Sequence, residues 1–302
     1  MDTPTASRQR TARRLDHLVL PVADLATTRK RHTALGFQVA PDARHPFGTE
    51  NACIFFGDGS YLEPLAIASR EECEAAAIAG NVFVARDQAF RFRQGAEGLS
   101  ALVVSSSDAG ADHARFAANG QSGGEILTFT RPLERADGST SHPRFELAFA
   151  ADLRAPDFFG VAVERHAMPP AADNSFARHA NGVTGISELV LSEPNPTDFQ
   201  YFLQELADNR EVDAHSFGIE IALQAAVINV MTPEGLENWF GTRRCAHGRG
   251  LRGRAVVFRV ADLNATRSAL ANEDIPVREH AGRLIVDAAE GQGVLYAFEE
   301  SR

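Results

Sequence analysis

The sequence predicts an α+β chain of four βαβββ units arranged as two pairs, and three observations carry that expectation. Four apolar runs, at 15–20, 99–104, 186–191 and 255–260, resemble one another, and each leads into an Asp or Asn and then a helix-like stretch. Strand-like segments broken by glycine-rich turns follow the helical stretches. A Pro169-Pro170 pair in polar surroundings divides the four copies two and two.

The elements follow in order. Asp24, Asp108 and Asp262 stand where an N-cap belongs, so their carboxylates can accept from the free N–H groups of the next helix. The helix after Asp24 should end at Leu35-Gly36, since glycine suits the left-handed residue past a helix. Strands are expected at 36–40, 51–56 and 61–67, the last two joined by the hairpin loop Gly57-Asp58-Gly59-Ser60. Residues 69–94, rich in alanine and charge, read as a helical connector. The second unit should end in strands near 144–150 and 158–165, the third near 222–231, the fourth near 283–287 and 293–299. The expected layout is a solvated tail at 1–14, a first domain at 15–167, a linker at 168–183 and a second domain at 184–302. The tail holds four arginines and no apolar core of a secretory signal.

Composition narrows the function classes. Thirty Lys and Arg against 40 Asp and Glu leave a net charge of −10, which argues against nucleic acid as a partner, because phosphate binding needs a basic surface. No apolar run is long enough to span a membrane. Three scattered cysteines without a CxxC fit a reducing cytoplasm and make neither a disulfide framework nor a thiolate zinc site. Cys245-Ala246-His247 sits among glycine and arginine and reads as a loop. Gly291-Gln292-Gly293 reads as a hairpin turn, with no βαβ context for a dinucleotide site.

Certain residues on the repeat carry a family resemblance. Leu15-Asp16-His17-Leu18-Val19, His45-Pro46-Phe47-Gly48-Thr49-Glu50-Asn51, Tyr61-Leu62-Glu63, Arg165-His166 with Pro169, and Arg178-His179-Ala180-Asn181-Gly182 resemble glyoxalase-like domain proteins of the vicinal oxygen chelate superfamily. The resemblance spans about 13–300 and is strongest before 183. It implies curved mixed sheets that cup a ligand cavity. It also implies that the first and last strands of a unit supply inward-facing metal ligands.

On that resemblance the metal ligands are His17, Glu63 and His166, the last matching a histidine of the resembling sequences. An imidazole and a carboxylate suit divalent zinc, iron, manganese, nickel or cobalt. Bland alternatives stand beside each assignment. His17 can be a structural histidine bonded to backbone, Glu63 can pair with an arginine, and His166 can lie on the surface past its strand. Glu164 competes with His166, because strand alternation puts the two on one face and Arg165 on the other, and it is taken as a substrate-binding residue beside Thr49 and Asn51. His45, Thr49 and Asn51 have two readings. In one, their loop reaches over the cavity, with Thr49 and Asn51 on the substrate and His45 as catalytic acid or base. In the other they form a turn, with Gly48 supplying a positive φ. Arg178 and His179 read as domain-interface residues.

Superposing the copies on Asp24 sets His17 on Ala101, Glu188 and Ala255, so the second half is expected to be a degenerate partner domain. Two function classes remain. One is a metalloenzyme that isomerises, cleaves or dioxygenates a small oxygenated molecule by stabilising an oxyanion. The other is a metal-free protein of the same fold that binds and sequesters a small molecule. The expected partners are a small-molecule substrate and, as the protein partner considered, a second copy in a homodimer.

Overall fold

Each of the three aspartates closes the start of a helix. Asp24 accepts from Thr27 N, Asp108 from Ala111 N, and Asp262 from Asn264 N and Ala265 N. The structure, a computed structural model, describes residues 11–134, 140–168, 175–242 and 248–300. Cys245-Ala246-His247, Pro169 and Pro170, and residues 1–10 of the expected tail lie outside the described residues.

The first half runs β1 (Leu15–Pro21), α1 (Leu25–Ala34), β2 (Ala43–Arg44), β3 (Thr49–Asn51), β4 (Ile54–Phe55), β5 (Tyr61–Ile67), α2 (Arg70–Ile78), α3 (Val82–Gln94), β6 (Ala101–Ser105), α4 (Ala109–Ala118), β7 (Leu127–Thr130), β8 (Leu133–Glu134), β9 (Thr140–Ser141), β10 (Arg144–Ala150) and β11 (Phe159–His166). The second half runs β12 (Val183–Ser192), α5 (Gln200–Ala207), β13 (Asp213–His215), β14 (Gly218–Ala222), β15 (Val227–Met231), α6 (Pro233–Phe240), β16 (Arg252–Val260), α7 (Leu263–Asn272), β17 (Arg278–His280), β18 (Arg283–Val286) and β19 (Leu295–Glu300).

Two curved mixed sheets result, as the α+β reading expects. The first has the order β2-β3-β5-β1-β6-β11-β10-β7, with β4 added on β5; the second has the order β13-β14-β15-β12-β16-β19-β18-β17. In each, the first strands of two units lie antiparallel at the centre, and each pairs in parallel with the last strand of its own unit. Alternation along β1 sends Leu18 and Leu20 to one face and His17 and Val19 to the other. Leu18, Leu20, Leu102 and Val104 join Ile186, Val256, Phe258 and Tyr296 of the second sheet in one apolar core. Val19, Ala101, Val103, Val161 and Val163 face the other way, where Phe83 and Val84 of α3 pack over them.

Two expectations need correction. Residues 36–40 form no strand. Phe37 is drawn into the shared core, its ring centroid 5.2 Å from that of Phe258. Burying a phenylalanine is worth roughly 1.5–3 kcal/mol, and the sheet edge is built instead by β2 and β3. Residues 11–14, expected in a solvated tail, are tied down: Arg13 donates to Asp112 at 2.8 Å and its N–H to Ala207 O at 2.9 Å. Beyond the linker prolines, His179 accepts from Gln38 N and donates to Phe55 O, both at 2.9 Å, which places it against the first sheet.

His32 of α1 shows how this core depends on pH. Its Nδ1 donates to Thr28 O at 2.9 Å, and its Nε2 accepts from the Tyr296 hydroxyl at 2.8 Å. Burial pushes its pKa from 6.5 down to about 4. The unfolded chain therefore takes up a proton here before the folded one does. The contribution is complete above pH 6.5 and is lost as pH falls towards 4, on the order of 3 kcal/mol in all. His32→Leu is expected to flatten the fall in urea midpoint between pH 7 and pH 4.5; the same slope in both proteins would refute this.

Candidate functional site

The site starts from an irregularity in β1. The register between β1 and β6 shifts between Leu15 and His17, so Asp16 sits in a bulge. Regular alternation would send Asp16 and His17 to opposite faces. Here the Asp16 carboxylate lies 2.6 Å from His17 Nδ1. That contact holds the imidazole with Nε2 turned the other way, towards Glu63 Oε2 at 3.2 Å. Glu63 arrives on β5, where it pairs with Val19, while Tyr61 pairs with His17. The Tyr61 ring stacks on His17 with centroids 4.3 Å apart.

The segment 45–51 forms the turn of the structural reading, and of its polar residues His45 and Asn51 line the cavity of the first sheet while Thr49 does not. Gly48 adopts φ +91°, and a Cβ there would stand 2.8 Å from Cys73 N and Ser69 O at the start of α2. The turn so formed puts Thr49 Oγ1 2.9 Å from His45 Nδ1. Thr49 is buried and positions His45; it does not line the cavity. Asn51 donates to Glu63 Oε1 at 2.5 Å and lies 3.5 Å from His45 Nε2. His45 Nε2 is 3.6 Å from the same Glu63 oxygen.

His17, His45, Asn51, Tyr61 and Glu63 face a cavity of about 190 Å³ on the α3 side of the first sheet, walled by Phe47, Phe83, Phe129, Phe145 and Val161 among others. Burial opposes charge on Glu63, but the hydrogen bond and charge of His17 outweigh it and hold the carboxyl down at about 2. Burial likewise disfavours the His17 imidazolium, and the Asp16 and Glu63 carboxylates overcome this and raise its pKa. His45 differs: burial dominates and lowers it to about 4 despite nearby Glu63. It is a neutral imidazole at pH 7. With Nδ1–H donated to Thr49, its Nε2 lone pair points towards Glu63 and Asn51.

His166 is not brought to this site. On β11, Val161, Val163 and Arg165 line the cavity, and His166 and Glu164 face the other side. His166 Nε2 lies 3.4 Å from Glu164 and 3.7 Å from Glu146. The alternation was legible, but the half of it that faces the cavity belongs to Arg165. Glu164 accepts from Ala109 N at the start of α4, at 2.8 Å, so it caps a helix on the far face and does not meet the cavity. Among the described residues, Glu146, Glu164 and His166 bring three donor atoms within 4.8 Å of one another; His17, Glu63 and His45 do not.

Three residues of the site were missed by sequence reasoning, Arg131 and Arg165 in the cavity lining and Asp16 behind His17. Asp16 escaped because its contact needs the bulge. Arg165 donates to Asp16 at 2.5 Å and to Tyr61 Oη at 3.0 Å, and its parity opposite Glu164 was the one available signal. Arg131 follows β7 in an irregular stretch, where no periodicity marks it.

The residues fit a divalent cation. His17 Nε2 and Glu63 Oε2 are two suitable donors at adjacent positions, and a carboxylate behind the imidazole is the usual support of a metal-bound histidine. Asn51 Oδ1, buried beside Glu63, has no hydrogen-bond partner. It is an oxygen donor that the protein leaves unsatisfied.

The second sheet repeats the frame without this chemistry. Val190 pairs with Asn229 as Val19 pairs with Glu63, so Glu188 and Asn229 occupy the places of His17 and Glu63. The two are bonded directly, Asn229 donating to Glu188 at 2.7 Å, and Arg283 joins Glu188 to Glu299 at 2.7 Å and 2.8 Å.

Paired βαβββ units around such a cavity define the vicinal oxygen chelate architecture. The chain belongs to the glyoxalase-like domain family, whose model matches residues 15–207, nearly two thirds of its length. Comparison with curated protein sequences finds no match. Among solved structures, the fold is similar to that of a hypothetical protein from Staphylococcus aureus, with TM-score 0.62 and 12% identity over 95% of this chain and 99% of that one. A triple mutant of 4-hydroxymandelate synthase from Streptomyces coelicolor gives TM-score 0.58 and 12% identity over 96% and 92%. The Mn(II)-bound glyoxalase from Novosphingobium aromaticivorans gives 0.51 and 12% over 96% and 83%. Among the described residues no helix is long and apolar enough to cross a membrane.

Proposed function

We propose that the first domain is a metalloenzyme site that moves a proton next to a carbonyl of a small organic substrate. The observation that carries this is the pair His17 Nε2 and Glu63 Oε2, 3.2 Å apart, with Asp16 fixing the far side of the imidazole. His17 and Glu63 would hold a divalent metal, with Asn51 Oδ1 beside them. When bound, the metal supplies Lewis acidity towards a substrate oxygen. His45 Nε2, neutral and poised next to Glu63, takes the proton. The aromatic walls orient the substrate and keep water from the reacting end. The Mn(II) and glyoxalase in the name of one fold neighbour support this choice of chemistry among the lyase, isomerase and dioxygenase types. The domain at 184–302 acts as a degenerate partner, because Glu188 and Asn229 stand in the places of His17 and Glu63 and Glu188 is taken up by Asn229 and Arg283.

A second reading, a metal-free small-molecule binding protein, draws on the second unit. There Ala101 and Val161 stand where His17 and Glu63 stand in the first, and neither can coordinate. Elemental analysis of protein purified without chelator, followed by calorimetric titration with Mn²⁺ and Zn²⁺, separates the two. One metal per chain is expected, and His166→Ala should leave it unchanged. No binding in the native chain would favour the second reading. Loss of metal in His166→Ala would move the site to the far face of the sheet.

A further inference from the structure

The cavity holds two guanidinium groups in different situations. Arg165 is compensated by Asp16 and bonded to Tyr61. Arg131 lines the same cavity, and its Nε is buried without a hydrogen-bond partner. Its guanidinium carbon stands 6.0 Å from the Phe145 ring centroid, and no ion pair with a described residue reaches it. Glu63 does not serve as its counter-charge, being taken up by His17 and Asn51. A guanidinium kept in an apolar cavity without an anion is costly. Its planar fork matches a carboxylate in a bidentate way.

The rest of the cavity describes the body of the ligand. Phe47, Phe129 and Phe145 make an aromatic wall, with the last two rings stacked at 5.1 Å. An apolar cavity of about 150 Å³ is known to admit benzene, so about 190 Å³ accommodates one ring with a short acidic arm. We propose that the ligand of this cavity is a single-ring organic acid whose carboxylate is bound by Arg131, with its ring against the phenylalanines. That its other oxygen-bearing end reaches His17 and Glu63 rests on the function proposed above; the contact with Arg131 does not.

The test uses the full chain, stripped with chelator and also reloaded with Mn²⁺, and titrates it calorimetrically with phenylacetate and with its neutral analogue phenylacetamide. Phenylacetate should bind roughly tenfold to a hundredfold more tightly than the amide, the range expected for a hydrogen bond to a charged group. Arg131→Gln should erase that preference, and Arg131→Lys should retain part of it. Equal affinity for both probes, no binding of either, or a preference that survives in Arg131→Gln would overturn the inference. Protein that takes up no Mn²⁺ but still prefers phenylacetate supports it and sinks only the metal reading. Protein that takes up Mn²⁺ but lacks the preference overturns it and leaves the metal reading standing.

Discussion

Replacing His17 by alanine is expected to reduce bound metal from stoichiometric to background and to remove activity with it. On the proposed reading the imidazole would supply the nitrogen donor, and among the cavity-lining residues the nearest other imidazole, His45, approaches the opposite oxygen of Glu63. Asp16→Asn should be milder, weakening metal affinity roughly 10–100-fold, because it loosens the support behind the ligand and keeps the ligand itself. A structural role for His17 predicts a different pattern. His17→Ala would then cost only about 1–3 kcal/mol of stability, as Glu63 keeps Asn51 and Asp16 keeps Arg165. That cost would be greater below pH 6.5 than at high pH, since the raised His17 pKa stabilises the fold where the imidazole is charged. Metal uptake by His17→Ala equal to that of the native chain would dispose of the ligand assignment.

Arg283→Ala is expected to produce the largest loss of stability, about 3–5 kcal/mol. The Arg283 and Glu188 side chains are 14% and 9% exposed, and Arg283 also holds Glu299. Burial raises the Glu188 pKa even with the guanidinium present, so removal of Arg283 leaves an acid with little reason to ionise. Replacing both members, as Arg283→Leu with Glu188→Leu, should return the urea midpoint close to that of the native chain, because an apolar pair of similar volume commonly matches a buried ion pair. Asn229, which donates to Glu188 at 2.7 Å, keeps Glu220 at 3.0 Å in that variant. An unchanged midpoint for Arg283→Ala alone would mean that Glu188 is already protonated and needs no partner.

The candidate site was legible in part. His17 and Glu63 could be paired from sequence through the family resemblance, which implies that the first and last strands of a unit supply inward-facing ligands, and each is a polar residue inside an apolar strand. The motif from His45 to Asn51 was legible through Gly48, whose positive φ the turn requires. His166 shows the limit. Alternation correctly separates it and Glu164 from Arg165, but it cannot say which set meets the cavity. Asp16 shows another limit: its contact with His17 depends on a bulge between neighbouring strands. The second sheet has a register shift at the matching place, between Ile186 and Glu188. The irregularity thus belongs to the strand pairing and not to the aspartate. Residues 36–40 were misread because Phe37 answers to a core shared with the other sheet, a contact far away in sequence.

What the sequence determined by itself was local and periodic: the four repeated units, the aspartate caps, the hairpin after β4 and the parity of strand residues away from the bulges. Those depend on neighbours within a few residues, so one chain is enough to show them. Tertiary structure decided the sign of that parity, the bulge under Asp16, the placing of Arg131 in the cavity without an ion pair among the described residues, and the pairing of Glu188 with Arg283 in the second sheet. Each of these is set by which face the curved sheet presents to α3 and which to the other sheet, and that choice comes from long-range packing.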